Sequence, residues 1–221
     1  MRCFYSKAKK VMKPLEAISV VEEKKIVPVV TIKNVNDAIK LGEALCKGGL
    51  PIAEITFRTS SAEGAIKEIS KNIPEMLVGA GTVINLEQAK RALDAGAAFI
   101  VSPGINRSII EFAIDNDIPI FPGVCTPTEL MIALEYNLPV VKFFPAKQYG
   151  GLDTIKALAA PFPGIKFMPT GGINADNITK YLEFDRIIAC GGSWMVKENL
   201  INDGEFSKII ELTKEALALV K

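Results

Sequence analysis

Residues 138–151, LPVVKFFPAKQYGG, show the pattern on which the whole chain is built: a short strand and a turn, with a helix predicted to follow. The β-branched and aromatic run VVKFF is typical of a buried strand. Pro145 ends it, because proline has no N–H to donate to a sheet ladder. Lys142 stands alone in this apolar run. Its amine must reach solvent, pair with a carboxylate or take part in chemistry, since burial among apolar groups disfavours the charged form.

Two interpretations of Lys142 follow from this stretch. A neutral lysine amine attacks carbonyl groups and forms Schiff bases. Alternatively, Lys142 is a strand-end lysine whose ammonium group reaches water past Phe143 and Phe144. From these residues alone the second interpretation is the more common one, so the rest of the chain must decide.

The same strand-then-helix unit recurs along the sequence. We predict strands over residues 26–32, 52–57, 77–82, 99–102, 118–123, 140–144, 166–170 and 186–190. We predict helices over residues 13–25, 35–47, 60–72, 85–95, 106–116, 126–135, 152–159, 176–182 and 205–219. Strict alternation of this kind is typical of a parallel sheet.

Eight such units predict a single (β/α)₈ TIM barrel with an N-terminal helix, spanning residues 12–221 as one domain. Residues 1–11 are predicted to be a poorly ordered extension. The alternative is an open doubly wound sheet, but no G-x-G-x-x-G motif follows the first strand.

Composition excludes several classes of function. The chain has 221 residues, 49% of them hydrophobic, and a net charge of +1. This balance predicts neither a nucleic-acid partner nor a membrane surface. The basic start has no apolar segment behind it, so we expect no secretory signal and a cytoplasmic protein. The four cysteines show no metal spacing.

The chain contains no histidine, which excludes histidine triads, histidine metal sites and imidazole bases. Proton transfer must therefore fall to a carboxylate, a lysine, a tyrosine or water. We expect no metal and no cofactor.

Charged residues collect at the carboxyl ends of the predicted strands, where such barrels carry their sites. Glu54 and Arg58 share one face of the second strand by the period of two, and Lys142 lies on the sixth. Arg58 can grip a carboxylate, Lys142 can condense with a neighbouring ketone, and Glu54 can move protons. Together they indicate chemistry on a 2-keto acid. The structural alternative is an ion pair of Glu54 with Lys142 or Arg58 that only balances buried charge.

Two glycine turns follow the seventh and eighth predicted strands: Gly171-Gly172 and Gly191-Gly192-Ser193. Barrels often bind phosphate at these loops through backbone N–H groups, which glycine allows an anion to approach closely. One double glycine is usually only a tight turn, but two at the expected loops favour a phosphate site.

With these motifs in hand, the chain resembles the class I KDPG/KHG aldolases (2-dehydro-3-deoxy-phosphogluconate aldolase and 4-hydroxy-2-oxoglutarate aldolase). The resemblance runs from about residue 26 to 195 and rests on GGLPIAEITFRT, VGAGTV, FIVSPG, FPGVCTPTE, VKFFPA, MPTGGI and CGGSWM. It implies a (β/α)₈ barrel, a homotrimer and small-molecule substrates. It also implies cleavage of a 2-keto-4-hydroxy acid to pyruvate plus glyceraldehyde 3-phosphate or glyoxylate.

The resemblance implies a role for each matching residue. Lys142 would be the Schiff-base lysine and Glu54 the general acid/base. The substrate-binding residues would be Arg58 and Thr82 at the carboxylate, Pro103, Phe144 and Thr170 around pyruvate, and Gly171, Gly172, Gly192 and Ser193 near the phosphate.

The chain departs from the family pattern at Lys147, where relatives often carry an acid, and at Phe57, which replaces a leucine and should face away from the pocket. Two other functions stay open. A phosphate-binding barrel isomerase or decarboxylase would use Lys142 only as a charge, and a non-enzymatic sugar-phosphate sensor would bind without turnover. The sequence leaves the preferred aldehyde undecided.

Overall fold

The computed structural model describes residues 14–220, in which parallel strands alternate with helices. The predicted extension over residues 1–11 lies outside this range. The strands are β1 (Ile26–Val30), β2 (Ile52–Thr56), β3 (Leu77–Gly81), β4 (Ile100–Val101), β5 (Ile120–Phe121), β6 (Gly123–Val124), β7 (Val140–Phe143), β8 (Lys166–Pro169) and β9 (Cys190–Gly192). The helices are α1 (Pro14–Lys24), α2 (Ala38–Lys47), α3 (Ala62–Asn72), α4 (Leu86–Asp94), α5 (Arg107–Asp115), α6 (Pro127–Glu135), α7 (Gly151–Ala159), α8 (Ile178–Leu182), α9 (Glu198–Asn202) and α10 (Phe206–Ala218).

The prediction of one closed eight-stranded TIM barrel is wrong. The strands form two parallel sheets, one of six strands in the order β5-β4-β3-β2-β1-β9 and one of three in the order β6-β7-β8. The alternation of strands and helices is confirmed, because every ladder is parallel and helices separate most consecutive strands.

The first break between the sheets lies at Pro122, inside the predicted strand over residues 118–123. Proline has no N–H for a ladder. Phe121 pairs with β4 on the preceding side, whereas Gly123 pairs with Lys142 of β7 on the following side. One predicted strand therefore becomes two short strands that belong to different sheets.

The second break lies between β8 and β9. Only two isolated bridges, Phe167 with Ile187 and Thr170 with Gly191, connect these segments within residues 14–220. The bridges are three residues apart on β8 but four apart on the other side, so one extra residue interrupts the register as a bulge does. The predicted eighth strand over residues 186–190 is accordingly shifted to Cys190–Gly192.

Helices cover the strands through apolar faces at helical spacing. In α3 these are Ala62, Ala65, Ile66 and Ile69, all buried. The interior also holds Phe99 and Phe121, whose rings meet edge to face with centroids 5.9 Å apart. Within residues 14–220, no helix combines the length and the apolar character that crossing a membrane requires.

Candidate active site

A buried lysine–glutamate pair forms the centre of the candidate site. The Nζ atom of Lys142 on β7 donates to Oε1 of Glu54 on β2 at 3.4 Å, across 88 positions of sequence. The side chain of Lys142 is 4% exposed and that of Glu54 is fully buried. The two residues come from different sheets, so the inner faces of the sheets meet here. The structure thus brings together Lys142 and Glu54, which the sequence places at the ends of two different strands.

Gly81 at the end of β3 makes room for the carboxylate of Glu54. A Cβ atom at position 81 would overlap the Oε1, Cγ and Cδ atoms of Glu54. Because β3 is the neighbour of β2 in the sheet, this close approach fixes where the carboxylate can lie. The glycine of GAGT is thus required by packing beside the charged pair.

Two buried polar atoms of the site have no hydrogen-bond partner within the described residues: Oε2 of Glu54 and Oγ1 of Thr170. Most buried polar atoms in folded proteins are hydrogen-bonded, and an unsatisfied one costs stability. Glu54 is the partner of Lys142, and Thr170 lines the cavity described below, so both atoms are of the kind that a bound ligand would satisfy.

The ring of Phe144 lies over the Lys142 amine, with Nζ 4.9 Å from the ring centroid. This distance is within the range of a cation–π contact. Phe144 is also one wall of an open cavity of about 450 Å³. Phe144 therefore lies between the Lys142 amine and the cavity.

The cavity collects seven of the predicted site residues: Arg58, Phe144, Thr170, Gly171, Gly172, Gly192 and Ser193. Arg58 follows the end of β2 and is exposed, while Thr56 before it is buried and donates to the Val30 carbonyl at 2.8 Å. Phe57 lies on the other side, beneath the guanidinium of Arg91 on α4. The two glycine turns thus meet in one cavity, as the sequence predicts.

The other four predicted site residues do not line this cavity: Lys142 and Glu54, which Phe144 separates from it, and Thr82 and Pro103. Thr82 follows β3 and is half-buried, with a backbone φ of 55° that is rare for a β-branched residue. The carbonyl of Pro103 packs so closely on Gly123 that a Cβ there would overlap it. Gly123 pairs with Lys142, so Pro103 lies beside the lysine strand.

Side chains packed against the glycine turns limit the free space beside their backbone. Gly172 has a φ of 75°, and a Cβ on it would overlap the stem of Lys147. A Cβ on Gly192 would overlap the indole ring of Trp194. The departure from the family pattern at Lys147 therefore lies directly against one of the two turns.

Sequence reasoning missed part of the cavity wall. Thr31 after β1 and the run Lys197, Glu198 and Asn199 after β9 also line it. Thr31 lies inside the strand predicted over residues 26–32, but a polar residue at a strand end can indicate a site residue. The run at 197–199 carries no periodic signal, and α9 was not predicted.

Comparison with known proteins identifies the family of this chain. The profile of the KDPG and KHG aldolases matches residues 17–212. The chain belongs to this family. It is therefore a lyase, a class I aldolase.

Aldolases of this family from several bacteria are similar along most of their length. A 2-dehydro-3-deoxy-phosphogluconate aldolase of Treponema pallidum is 44% identical over 90% of this chain and 95% of its own. A KHG/KDPG aldolase of Escherichia coli K12 is 40% identical over 87% and 90%.

Solved aldolase structures share the fold. The KDPG aldolase of Legionella pneumophila, with pyruvate captured as a covalent carbinolamine intermediate, has a TM-score of 0.87 and 39% identity, covering 90% of this chain and 97% of its own. The aldolase of Zymomonas mobilis ZM4 with 3-phosphoglycerate has a TM-score of 0.86 and 39% identity, covering 93% and 97%.

Proposed function

We propose that Lys142 forms the Schiff base and that Glu54 carries the protons of this aldolase. The observation that supports it best is the buried pair itself. Nζ of Lys142 lies 3.4 Å from Oε1 of Glu54, while Oε2 of the same carboxylate has no partner within residues 14–220. Oε1 therefore accepts a hydrogen bond from the amine, and Oε2 can take a proton from the substrate.

The proposed reaction starts when the Lys142 amine attacks the C2 ketone of a 2-keto-4-hydroxy acid. The carbinolamine loses water and becomes a protonated imine. Glu54, directly or through water, takes the proton of the C4 hydroxyl, and the C3–C4 bond breaks. The bonding electrons move into the iminium and give an enamine, and the aldehyde leaves. Glu54 returns a proton to C3, and water hydrolyses the imine to free pyruvate and Lys142.

We assign the carboxylate of the keto acid to Arg58 and Thr82. Arg58 lines the cavity, and its planar guanidinium can bind a carboxylate through two parallel hydrogen bonds. Thr82 follows Gly81, the residue that lies against Glu54, and has a positive φ. Phe144, Thr170 and Pro103 would enclose the pyruvyl group.

The phosphorylated substrate, 2-dehydro-3-deoxy-6-phosphogluconate, is proposed as one substrate, with pyruvate and glyceraldehyde 3-phosphate as products. The two glycine turns that meet in the cavity support it, through Gly171, Gly172, Gly192 and Ser193. The shorter 4-hydroxy-2-oxoglutarate, which yields glyoxylate, needs only the keto-acid end of the site. The E. coli relative carries both names.

We further propose a cytoplasmic homotrimer. Cys46, Cys125 and Cys190 are free thiols, which fits a reducing compartment. Ile114 on α5 and Met131 and Leu134 on α6 are exposed apolar side chains on consecutive helices. Such side chains are common where subunits meet, and sedimentation velocity would measure the assembly.

Borohydride reduction in the presence of pyruvate tests the Schiff base. Treatment should inactivate the protein and add one reduced pyruvyl group to the peptide that carries Lys142, measured by peptide mass mapping. Lys166→Ala, which removes a more exposed lysine at the start of β8, serves as the control and should be trapped normally. An adduct on a different lysine, or none, would refute the assignment.

A further inference from the structure

An ion pair joins two loops at the mouth of the cavity. Nζ of Lys33, in the loop after β1, lies 2.6 Å from Oε1 of Glu198, the first residue of α9. Glu198 lines the cavity next to the glycine turn that ends in Ser193. The Lys33 ammonium group is therefore held at the rim of the cavity by a carboxylate that faces it.

Hydrogen bonds hold the backbone of the loop that carries Lys33, so only the Lys33 side chain needs to move when it changes partner. Thr59 donates from Oγ1 to the Ile32 carbonyl at 2.6 Å, and Ser61 donates from Oγ to the Lys33 carbonyl at 2.6 Å. The side chains of Lys33 and Glu198 are 62% and 40% exposed. An exposed ion pair of this kind contributes little stability, so Lys33 can leave Glu198 at small cost.

The glycine turns contain no cation, so a cation that contacts a phosphate there must come from another segment, and Arg58 and Lys197 also line the cavity. Gly171-Gly172 and Gly191-Gly192-Ser193 offer backbone N–H groups and one hydroxyl, while Glu198 places a negative charge in the same cavity. Two anions repel each other, and an ammonium group between them removes the repulsion. Lys33 already contacts one of these two anions, the carboxylate of Glu198.

We propose that Lys33 is a specificity-determining residue of this aldolase, which transfers from Glu198 to the terminal phosphate of the substrate or the aldehyde product. Glu198 holds the ammonium group at the rim while the site is empty and weakens phosphate binding by competing for it. This inference rests on the proposed function, because it assumes that the glycine turns hold a phosphate. It applies to phosphorylated substrates and not to 4-hydroxy-2-oxoglutarate.

Isothermal titration calorimetry with glycerol 3-phosphate tests the proposal, since this probe has a phosphate but neither a carboxylate nor a carbonyl. Glycerol is the phosphate-free comparison. Lys33→Ala should weaken binding about tenfold, which equals about 1.4 kcal/mol, and Glu198→Gln should strengthen it severalfold. Lys166→Ala, which breaks a similarly exposed pair with Glu22, should bind as the wild type does.

Three results would overturn the proposal: no binding of glycerol 3-phosphate by the wild type, unchanged binding by Lys33→Ala, or weaker binding by Glu198→Gln. The last would mean that the ion pair shapes the loops. Lys197→Ala is the competing variant, because Lys197 also lines the cavity. A loss confined to Lys197→Ala would assign the phosphate to that residue.

Trapping with pyruvate and borohydride separates this proposal from the proposed function. Lys33→Ala and Glu198→Gln should be trapped at the wild-type rate, since neither touches Lys142 or Glu54. A wild type that is never trapped would refute the Schiff-base function while leaving the calorimetric result valid. In steady-state kinetics, Lys33→Ala should lower kcat/KM about tenfold for the phosphorylated substrate only.

Discussion

Nζ of Lys142 lies 3.4 Å from Oε1 of Glu54, although β7 and β2 belong to different sheets. Removing one partner of a buried ion pair leaves an uncompensated charge, which typically costs about 3–5 kcal/mol. The pair also occupies a place that apolar residues of similar size could fill without loss of stability. Its position beside an unpartnered carboxylate oxygen and an open cavity is better explained by chemistry than by stability.

Glu54→Gln should keep the shape of the pair but remove the group that moves protons. We expect turnover to fall by roughly 10²–10⁴-fold, the usual contribution of a positioned acid/base, while the pyruvate adduct on Lys142 stays detectable after borohydride. Stopped-flow and trapping assays measure the two steps. Glu63→Gln, which changes an exposed acid on α3, is the control and should turn over normally. Wild-type turnover by Glu54→Gln would assign proton transfer to another group.

Gly81→Ala should displace the Glu54 carboxylate, because the added Cβ would overlap it. We expect kcat to fall by at least tenfold and the melting temperature to drop, as for overpacking of a core by about 1–3 kcal/mol. Gly164→Ala is the matched control, since nothing lies within 4 Å of a Cβ at that position. Equal effects of the two variants on kcat would show that Gly81 has no special relation to Glu54.

Thr170→Val should change stability and activity in opposite directions. The variant replaces a buried hydroxyl that has no partner within residues 14–220 by a methyl group of similar shape. We expect the free energy of unfolding to rise by about 1 kcal/mol, because an unsatisfied hydroxyl is no longer buried, while kcat/KM falls. Urea unfolding and steady-state kinetics measure the two effects. A loss of both would mean that the hydroxyl is satisfied in the folded protein.

Glu129→Gln should reduce stability in a pH-dependent way. Burial raises the pKa of Glu129, but hydrogen bonds from the backbone of Cys125 and from Thr126 lower it more, so the net shift is below the ordinary value of 4.5. The carboxylate therefore stabilises the fold above about pH 4.5, and this contribution is lost as the pH falls through the lowered pKa.

The difference in unfolding free energy between wild type and Glu129→Gln should be about 0.5–1.5 kcal/mol at pH 7 and shrink toward pH 3. Urea titrations at several pH values measure it. A difference that stays constant over this range would show that the charge of Glu129 does not matter. The role as the third residue of the α6 capping box, with Thr126, would then be purely geometric.

The sequence was a good guide wherever a pattern repeats. The helix predicted over residues 85–95 is observed as α4, where Asn85 caps the first turn by accepting from the backbone of Gln88. The prediction of one closed sheet was wrong at Pro122, where the missing N–H ends one ladder just as it does at Pro145. A bulge such as the one between β8 and β9 leaves no trace in hydrophobic spacing.

The missing parts of the site have a different origin. Lys33 and Glu198 are 165 positions apart and polar, so neither periodicity nor motif relates them. The positive φ of Thr82 is a backbone conformation that residue type alone does not reveal. Such features depend on which loops the fold brings together.

The pairing of β1 with β9 has a consequence for how the chain folds. The first strand can complete its pairing only after the last strand is available, because β9 residues Cys190, Gly191 and Gly192 pair with Ile26, Val27 and Pro28. Contacts between distant residues slow folding, since loop closure must come first. During synthesis, β1 therefore stays an open edge until nearly the whole chain has emerged. A truncated chain that ends before residue 190 would lack β9. The open edge of the apolar strand β1 could then pair with other molecules.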